Sequence, residues 1–348
     1  MCNIAGYAGT RQAAPILLEM LKRQEFYDGN MCTGIATIHE GKLHYRKLVG
    51  DVDYLIQNSD VLDLPGTIGI AHTRPSATAN KIAPHPCLSA DDTLALVTNG
   101  TTPVTKYCKD WDAAVDMLEQ KSYPFRHANP ASSQSPKLAK NNCHISVLEA
   151  RIALTEMYVR EGKTFPQAMA RACAHMYSDN VTVMLGEHDP DSIFALRSTR
   201  PLLSYTENGE TYVATCRYAF DEGKGDNAEY LPLHYACQIT RQGVTVTDAK
   251  MDVEPVAEIT PETFRAGYER LCKILSVKEE NALYFDELEF AVLDMRDIFE
   301  GDHTYLQHAR LVYDVLWQLD KEGRLNRVIR TQQKKHGTRQ RYYMWLKD

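Results

Sequence analysis

The chain has 348 residues, of which 44% are hydrophobic and 24% are charged, and its formal net charge is −7. This composition is typical of a soluble globular protein of about two or three domains, and it excludes an overall basic field for nucleic acid. Nine scattered cysteines without a C-x-x-C pair predict reduced thiols, with neither a disulfide framework nor a metal site. Because no signal peptide or long apolar run is present, we expect a cytoplasmic protein without a membrane contact.

The first residues place a nucleophile before a strand. Residues 3–9 are apolar and contain two glycines, which predicts a short buried strand. If Met1 is removed, Cys2 carries a thiol and a free α-amine on one residue. The amine has a reference pKa of roughly 7.7 to 8.0, so near neutral pH it can accept the proton of a thiol whose reference pKa is about 8.5. This arrangement is typical of an N-terminal nucleophile, and the alternative is a chance cysteine before a strand.

Hydrophobic periodicity predicts the other elements up to residue 250. Helices are predicted at 14–24, 110–118, 145–160 and 165–175, and strands at 34–39, 42–48, 67–72, 94–98, 181–185, 193–196, 202–205, 212–215, 237–240 and 244–247. Residues 122–142, rich in Ser, Pro, Asn and Lys, are predicted to form a loop. The order of the elements favours an α+β fold of stacked layers over a βαβ repeat. Because no Gly-rich phosphate-binding loop is present, no cofactor is predicted.

Several segments resemble, in the same order, motifs of the glutaminase domain of class II glutamine amidotransferases, and they most resemble the domain in glucosamine-6-phosphate synthase. That family opens with M-C-G-I, and this chain opens with M-C-N-I. The family's G-H-T-R-W-A-T is similar to residues 71–77, its H-P-H to residues 85–87 and its H-N-G to residues 98–100. Its R-G-x-D-S-A-G-I-A and A-R-S-G-S-P-L motifs are similar to residues 28–36 and 196–202. The resemblance covers about residues 2–250.

The resemblance implies an Ntn-hydrolase fold, a four-layer αββα sandwich with two antiparallel sheets between helical layers. It implies that Cys2 attacks the side-chain amide of glutamine, forms a γ-glutamyl thioester and releases ammonia, after which water frees glutamate. The side chain of Asn99 and the backbone N–H of Gly100 are implied to donate hydrogen bonds to the oxyanion. Arg74 is implied to bind the substrate α-carboxylate.

Four further residues are predicted to line the substrate site: His72, Thr73, His85 and His144. The last stands where the family has an acidic residue that binds the α-amine of glutamine, and its alternative is an exposed residue at the start of a helix. Pro75 replaces the family's Trp, and the R-G-x-D motif has lost both its Arg and its Asp. The predicted substrate is therefore glutamine or a related amide.

Residues 258–348 are predicted to form a second, small domain with helices at 261–275, 285–299 and 305–321 and strands at 324–331 and 339–346. The segment from Arg324 to Lys347 carries eight Lys and Arg residues and no acidic residue. Three helices and a basic hairpin resemble a winged helix. This pattern predicts contact with a nucleic-acid backbone or a partner through Arg330, Lys334, Lys335 and Arg339. The alternative is a solvated hairpin that docks on the acidic helices or on a partner protein.

The sequence thus predicts an enzyme related to glutamine amidotransferases, with a catalytic domain at residues 2–250 and a winged-helix-like domain at residues 258–348. No synthase domain fits in the remaining residues, so the ammonia acceptor is expected on a separate protein. Two alternatives stay open. One is a catalytically decayed sensor whose C-terminal module binds nucleic acid or a partner, and the other is an Ntn amidase of other specificity. A homo-oligomer also stays open.

Overall fold

The structure is a computed structural model that describes residues 2–75, 84–100, 111–125, 138, 145–221, 223–301, 303–334 and 337–347. In chain order, the strands are β1 (Asn3–Ala8), β2 (Cys32–His39), β3 (Lys42–Leu48), β4 (Ile68–Arg74), β5 (Cys87–Leu88), β6 (Leu94–Gly100), β7 (Asn180–Gly186), β8 (Ile193–Arg197), β9 (Leu203–Glu207), β10 (Glu210–Ala214), β11 (Glu229–Tyr230), β12 (Tyr235–Thr240), β13 (Gly243–Lys250), β14 (Leu283–Tyr284), β15 (Leu325–Lys334) and β16 (Gly337–Leu346). The helices are α1 (Ala13–Gln24), α2 (Val52–Gln57), α3 (Trp111–Gln120), α4 (Val147–Arg160), α5 (Phe165–His175), α6 (Pro261–Leu275), α7 (Phe285–Leu293) and α8 (His308–Lys321).

Two antiparallel sheets form the centre of the N-terminal part. The first has the strand order β11-β9-β10-β1-β4-β2-β3, and the second has the order β13-β12-β8-β7-β6-β5. Strand β1 pairs with β10 on one edge and with β4 on the other. Because side chains alternate along a strand, Ile4 packs between the two sheets whereas Ala5 and Tyr7 pack on the opposite face. The strand that follows Cys2 is therefore fixed on both edges and both faces.

Helices cover the outer faces of both sheets. Leu17 and Leu21 of α1 pack on the outer face of the first sheet. Ile152 of α4 and Met169 of α5 pack on the outer face of the second sheet, and α3 packs against α4. The layers are therefore helix, sheet, sheet and helix, which is the α+β arrangement that the sequence predicts.

The C-terminal part has a separate apolar core. Leu271 of α6, Leu288 of α7 and Leu316 of α8 pack together with Met344 of the small antiparallel sheet β14-β16-β15. Tyr27 from the N-terminal part belongs to the same core. The two parts of the chain are therefore in direct apolar contact.

Most elements agree with the prediction to within a few residues, and the differences have local causes. Helices α5 and α6 have the predicted bounds because Thr164 and Thr260 cap their first turns with a side-chain oxygen. Helix α7 ends at Leu293, six residues earlier than predicted. Helix α2 and the two-residue strands β5, β11 and β14 are not predicted, because segments this short show no clear period.

The C-terminal part has the three helices and the hairpin that the sequence predicts, and its likeness to a winged helix stays a prediction. Helix α8 does not lie free on the surface. It buries Leu311, Val312 and Val315, and its Asp314 accepts a hydrogen bond from Tyr230 of the N-terminal part at 2.6 Å.

Within the described part of the chain, every helix is too short or too polar to cross a membrane.

Candidate active site

The candidate site lies where the ends of three strands meet. Strands β1 and β4 run antiparallel with Asn3 opposite Thr73, so the start of β1 lies beside the end of β4. Strand β6 of the second sheet ends in Asn99 and Gly100. The backbone N–H of Cys2 donates a hydrogen bond to Oδ1 of Asn99, with 3.0 Å between the two atoms. The structure thus brings the predicted nucleophile and the predicted oxyanion group together from different sheets.

The two amide atoms of Asn99 have different surroundings. Its Oδ1 accepts the hydrogen bond from Cys2, whereas its Nδ2 is buried and has no hydrogen-bond partner among the described residues. A buried donor without an acceptor costs about 1–3 kcal/mol, so such a group calls for an explanation. A donor of this kind next to a nucleophile is suited to bind negative charge that develops during a reaction.

Gly100, the last residue of β6, has a backbone conformation that favours glycine. Its φ angle is +139°, and a Cβ atom at this position would lie 2.0 Å from the backbone oxygen of Asp179. The close approach follows from the pairing of β6 with β7, in which Gly100 lies opposite Asn180. The backbone of Gly100, which carries the predicted second donor, is therefore held by the second sheet.

The Cys2 thiol is protonated at neutral pH in this environment. Burial raises the pKa of the thiol to about 11; the positive charges of Arg74 and Arg200 lower it, and Glu289 and Asp286 raise it further. Because the thiolate is the reactive form, a reaction at neutral pH needs a base beside the sulfur.

Arg74 lies at the end of β4, beside the start of β1. It is partly exposed and lies opposite Cys32 of β2. Its charge acts on the Cys2 thiol and also on His72 and His85, which places the guanidinium close to all three groups. The position suits the predicted role of binding a carboxylate next to the nucleophile.

His72 and His85 contact the strand that leads to Asn99. Their rings lie 4.1 Å apart between centroids. Nε2 of His72 lies 3.0 Å from the backbone oxygen of Thr98, and the backbone N–H of Thr98 donates to Nδ1 of His85 at 3.5 Å. Strand β5 pairs only with Leu96 and Ala95 of β6, so the two histidines bind the polar groups of Thr98 beyond the end of that pairing. His72 is fully buried and its ring contacts β6, and the binding of substrate by this residue stays a prediction.

Thr73 lies on the other face of β4, and its predicted role in substrate binding stays a prediction. Adjacent residues of a strand point to opposite faces, so Thr73 points to the face opposite that of His72 and Arg74. Its hydroxyl accepts a hydrogen bond from the backbone N–H of Asn30 at 2.9 Å. Thr73 therefore fixes the segment around Asn30 and does not face the thiol.

Two of the predicted residues lie outside the described ranges. These are His144, predicted at the substrate amine, and Lys335, predicted in the basic hairpin; the predicted loop at 122–142 also lies largely outside them. The side chain of Lys334 is likewise not described.

The basic hairpin is only partly a surface feature. Arg339 is 4% exposed and its guanidinium pairs with Asp28 and with Asp286, the latter at 3.7 Å. Arg330 is partly buried, donates to the backbone oxygen of Glu279 and lies 4.8 Å from the centre of the Tyr343 ring. Arg339 is thus buried in ion pairs, and its predicted contact with nucleic acid stays a prediction. The alternative of a hairpin docked on acidic residues describes it better.

Carboxylates gather beside this hairpin. Asp28, Asp286 and Glu289 have oxygens within 4.8 Å of one another, which is a spacing that a metal ion accepts. Each carboxylate, however, pairs with a guanidinium: Asp28 with Arg339, Asp286 with Arg341, and Glu289 with Arg200. The arginines thus neutralise the cluster, and it carries no metal assignment.

Sequence reasoning missed three residues at the site: Asn3, Asp28 and Arg200. Asn3 stands where the family motif has Gly, Asp28 where it has Arg, and Arg200 where it has the second Ser of A-R-S-G-S-P-L. The departure from each motif was therefore the only sign in the sequence that these three residues have a different role. That role cannot be inferred from the sequence, because it depends on contacts with residues some 90 to 310 positions away in the chain.

The chain is similar to known proteins in sequence and in fold. The chain is 28% identical over 222 residues to glutamine–fructose-6-phosphate aminotransferase (isomerizing) of Pyrococcus horikoshii, a match covering 63% of this chain and 33% of that protein. It is 28% identical over 262 residues to the Escherichia coli K12 protein of the same name, covering 71% and 37%. The matches thus span about a third of the length of these relatives. No family model matches the chain.

Among solved structures, glutamine phosphoribosylpyrophosphate amidotransferase from B. subtilis matches with a TM-score of 0.55 and 16% identity, over 91% of this chain and 64% of that one. At this identity the match shows the fold alone. Together with the sequence relatives, it confirms the resemblance to class II glutamine amidotransferases that the motifs predict.

We expect His72 and His85 to lower the free energy of unfolding as the pH falls from 7 to 5. Burial and the charge of Arg74 lower the pKa of His72 to about 3, and burial also holds the pKa of His85 well below its ordinary 6.5. Below pH 6.5 the unfolded chain binds protons that the folded chain does not, so each histidine lowers stability by about 1.4 kcal/mol per pH unit. Urea unfolding at pH 7, 6 and 5 measures this slope.

The matched variant is His72→Gln, whose side-chain amide can still donate a hydrogen bond to Thr98. We expect the free energy of unfolding of this variant to fall less steeply with decreasing pH, by the contribution of one histidine. A slope equal to that of the wild type would show that His72 is not held neutral in the folded protein.

Proposed function

We propose that the chain is a glutamine amidotransferase-like hydrolase in which Cys2, freed by removal of Met1, releases ammonia from glutamine or a related amide. The sulfur attacks the side-chain amide carbon, and a γ-glutamyl thioester forms. The thiol proton passes through the α-amine to the leaving nitrogen, which departs as ammonia. Water then cleaves the thioester, which frees glutamate and restores the thiol.

The observation that carries the proposal is the 3.0 Å hydrogen bond from the backbone nitrogen of Cys2 to Oδ1 of Asn99. It fixes the orientation of the amide, so that the unpartnered Nδ2 is the donor left for an oxyanion. The backbone N–H of Gly100 is the second proposed donor. One donor in a comparable site is worth about 2.7–4 kcal/mol in the transition state.

The need for a base supports the proposed use of the terminal amine. Burial holds the pKa of the thiol at about 11, so little thiolate is present at neutral pH. A free α-amine titrates at roughly 7.7 to 8.0 and would belong to the same residue as the thiol. The amine would thus accept the thiol proton without a histidine, in keeping with the burial of His72 against β6.

Arg74 is the proposed partner of the substrate α-carboxylate. Its position at the end of β4 places it beside the start of β1 and next to the thiol. The partner of the substrate α-amine is left to His144, where a histidine replaces the family's acid. Specificity for glutamine over a related amide is therefore part of the proposal to be tested.

The ammonia acceptor is proposed to lie on a separate protein. The relatives are named for transfer to fructose 6-phosphate, but this chain matches only about a third of their length. Residues 258–347 have their own helical core and show no phosphate-binding sequence motif. Nucleic-acid binding by this part has less support, because Arg339 is buried and α8 packs on the N-terminal part.

We expect 6-diazo-5-oxo-norleucine, an electrophilic analogue of glutamine, to modify Cys2 alone among the nine cysteines. The reason is that, among the seven cysteines that the structure describes, only Cys2 lies beside both the proposed oxyanion donor and Arg74, the proposed partner of the α-carboxylate. Intact mass and peptide mapping of the full chain measure the modification and show whether Met1 is absent.

The matched control is Cys32→Ala, since Cys32 is buried opposite Arg74 at the end of β2. This variant should be labelled like the wild type, whereas Cys2→Ala should not be labelled. Labelling at another cysteine, or none although Met1 is removed, would contradict the glutaminase proposal and favour the decayed sensor.

We expect Asn99→Ala to lower kcat for glutamate release by about 100- to 1000-fold, because one oxyanion donor is lost. Asn99→Asp separates the two roles of the side chain. It retains an acceptor for the Cys2 nitrogen but has no N–H donor, so it should lose as much activity as Asn99→Ala. Steady-state kinetics with glutamine measure both variants. A wild-type kcat in Asn99→Asp would contradict the role of Nδ2 as an oxyanion donor.

A further inference from the structure

The C-terminal part reaches the candidate site through three side chains. The contacts are Glu289 of α7 with Arg200, Tyr313 of α8 with Asn3, and Arg339 of β16 with Asp28. The three partners in the N-terminal part are the positions already noted, at which the chain departs from the family motifs. The departures from the motifs and the contacts with the C-terminal part therefore coincide.

Two of these contacts act on the residue that follows Cys2. The hydroxyl of Tyr313 donates to Oδ1 of Asn3 at 3.4 Å, and Nδ2 of Asn3 donates to the backbone oxygens of Gln24, at 3.1 Å, and of Asp28. Asp28 in turn is held by Arg339. The first residue of β1 is thus fixed by hydrogen bonds that begin in the C-terminal part.

Strand β16 also binds the backbone around Asp28. The N–H of Tyr342 donates to the backbone oxygen of Phe26 at 2.8 Å, and the side chain of Asn30 donates to the backbone oxygen of Gln340. The segment 26–30, which includes the first three positions of the R-G-x-D motif, therefore depends on β16 for its position.

The third contact, between Glu289 and Arg200, acts on the backbone beside Gly100. Arg200 is 4% exposed and lies between Glu289 and Asp179, with its Nη2 2.7 Å from an oxygen of Asp179. Asp179 precedes β7, and its backbone oxygen is the atom that lies against Gly100. Glu289 is thus connected through one arginine to the backbone that supports the proposed oxyanion turn.

We propose that Glu289, Tyr313 and Arg339 are positioning residues for the reaction at Cys2, so that the C-terminal part forms an integral wall of the active site. They act through Arg200, Asn3 and Asp28, which hold the backbone next to Cys2 and behind Gly100. This inference rests on the proposed function for the identity of the reaction, but the contacts themselves do not depend on the substrate.

The charges around the thiol make the inference measurable. The charged groups that act on Cys2 are Arg74 of β4, Arg200 after β8, and Asp286 and Glu289 of α7. Burial raises the pKa of the Glu289 carboxyl, but Arg200 and His308 outweigh burial and hold it below its ordinary value, so Glu289 is negative at neutral pH. Because this negative charge raises the pKa of the Cys2 thiol, its removal should let Cys2 react at lower pH.

The test is Glu289→Gln in the full chain, with two readouts. We expect kcat for glutamate release to fall tenfold or more while KM changes less than threefold, since Glu289 touches no substrate. We also expect the pH midpoint of Cys2 alkylation by iodoacetamide, followed by peptide mass mapping, to shift downward. Cys272 of α6, which is also partly exposed, serves as the internal reference.

The control for charge removal is Asp297→Asn, which breaks the exposed ion pair with Arg270 and should match the wild type in both readouts. Tyr313→Phe removes one hydroxyl without changing a charge, so kcat should fall while the alkylation midpoint stays. Wild-type kcat in Tyr313→Phe, or an unchanged midpoint in a folded Glu289→Gln, would overturn the inference. If Glu289→Gln does not fold, the kcat of Tyr313→Phe tests the inference alone. If the wild type does not cleave glutamine, the proposed function fails, and the pH midpoint of Cys2 alkylation in Glu289→Gln still tests the inference.

Discussion

The structure depends on one hydrogen bond that joins the ends of two sheets, from the backbone of Cys2 to the side chain of Asn99. Cys2 precedes an interior strand of the first sheet, and Asn99 lies at the end of a strand of the second. Packing between the sheets brings the ends together, and the bond then sets which atom of the amide remains for a ligand. The chemistry of the site therefore follows from how two layers pack.

The sequence predicted the layers because their elements have clear periods and caps, and it predicted Cys2, Asn99 and Arg74 because these residues lie in motifs. It did not separate side chains on the face of the nucleophile from side chains on the opposite face, where Thr73 lies. Nor did it show the contact of the His72 ring with Thr98, because the two residues lie on different strands of different sheets.

In the C-terminal part, too, the sequence did not show which residues contact one another. A run of basic residues predicts a charged surface, but Arg339 and Arg341 are buried because Asp28 and Asp286 lie opposite them. Removing one partner of a buried ion pair leaves the other charge buried and unpaired, so substitution of a single residue of these pairs should disturb the contact between the two parts of the chain. Composition alone could not supply this pairing, since the acids come from both parts of the chain.

The most direct measurement of the central claim is the release of glutamate from glutamine by the full chain with Met1 removed, compared with Cys2→Ala. The account predicts glutamate and ammonia in equal amounts from the wild type, and neither above background from the variant. Equal rates in the two proteins would contradict it, since glutamine would then be cleaved without the thiol that the rest of the site surrounds.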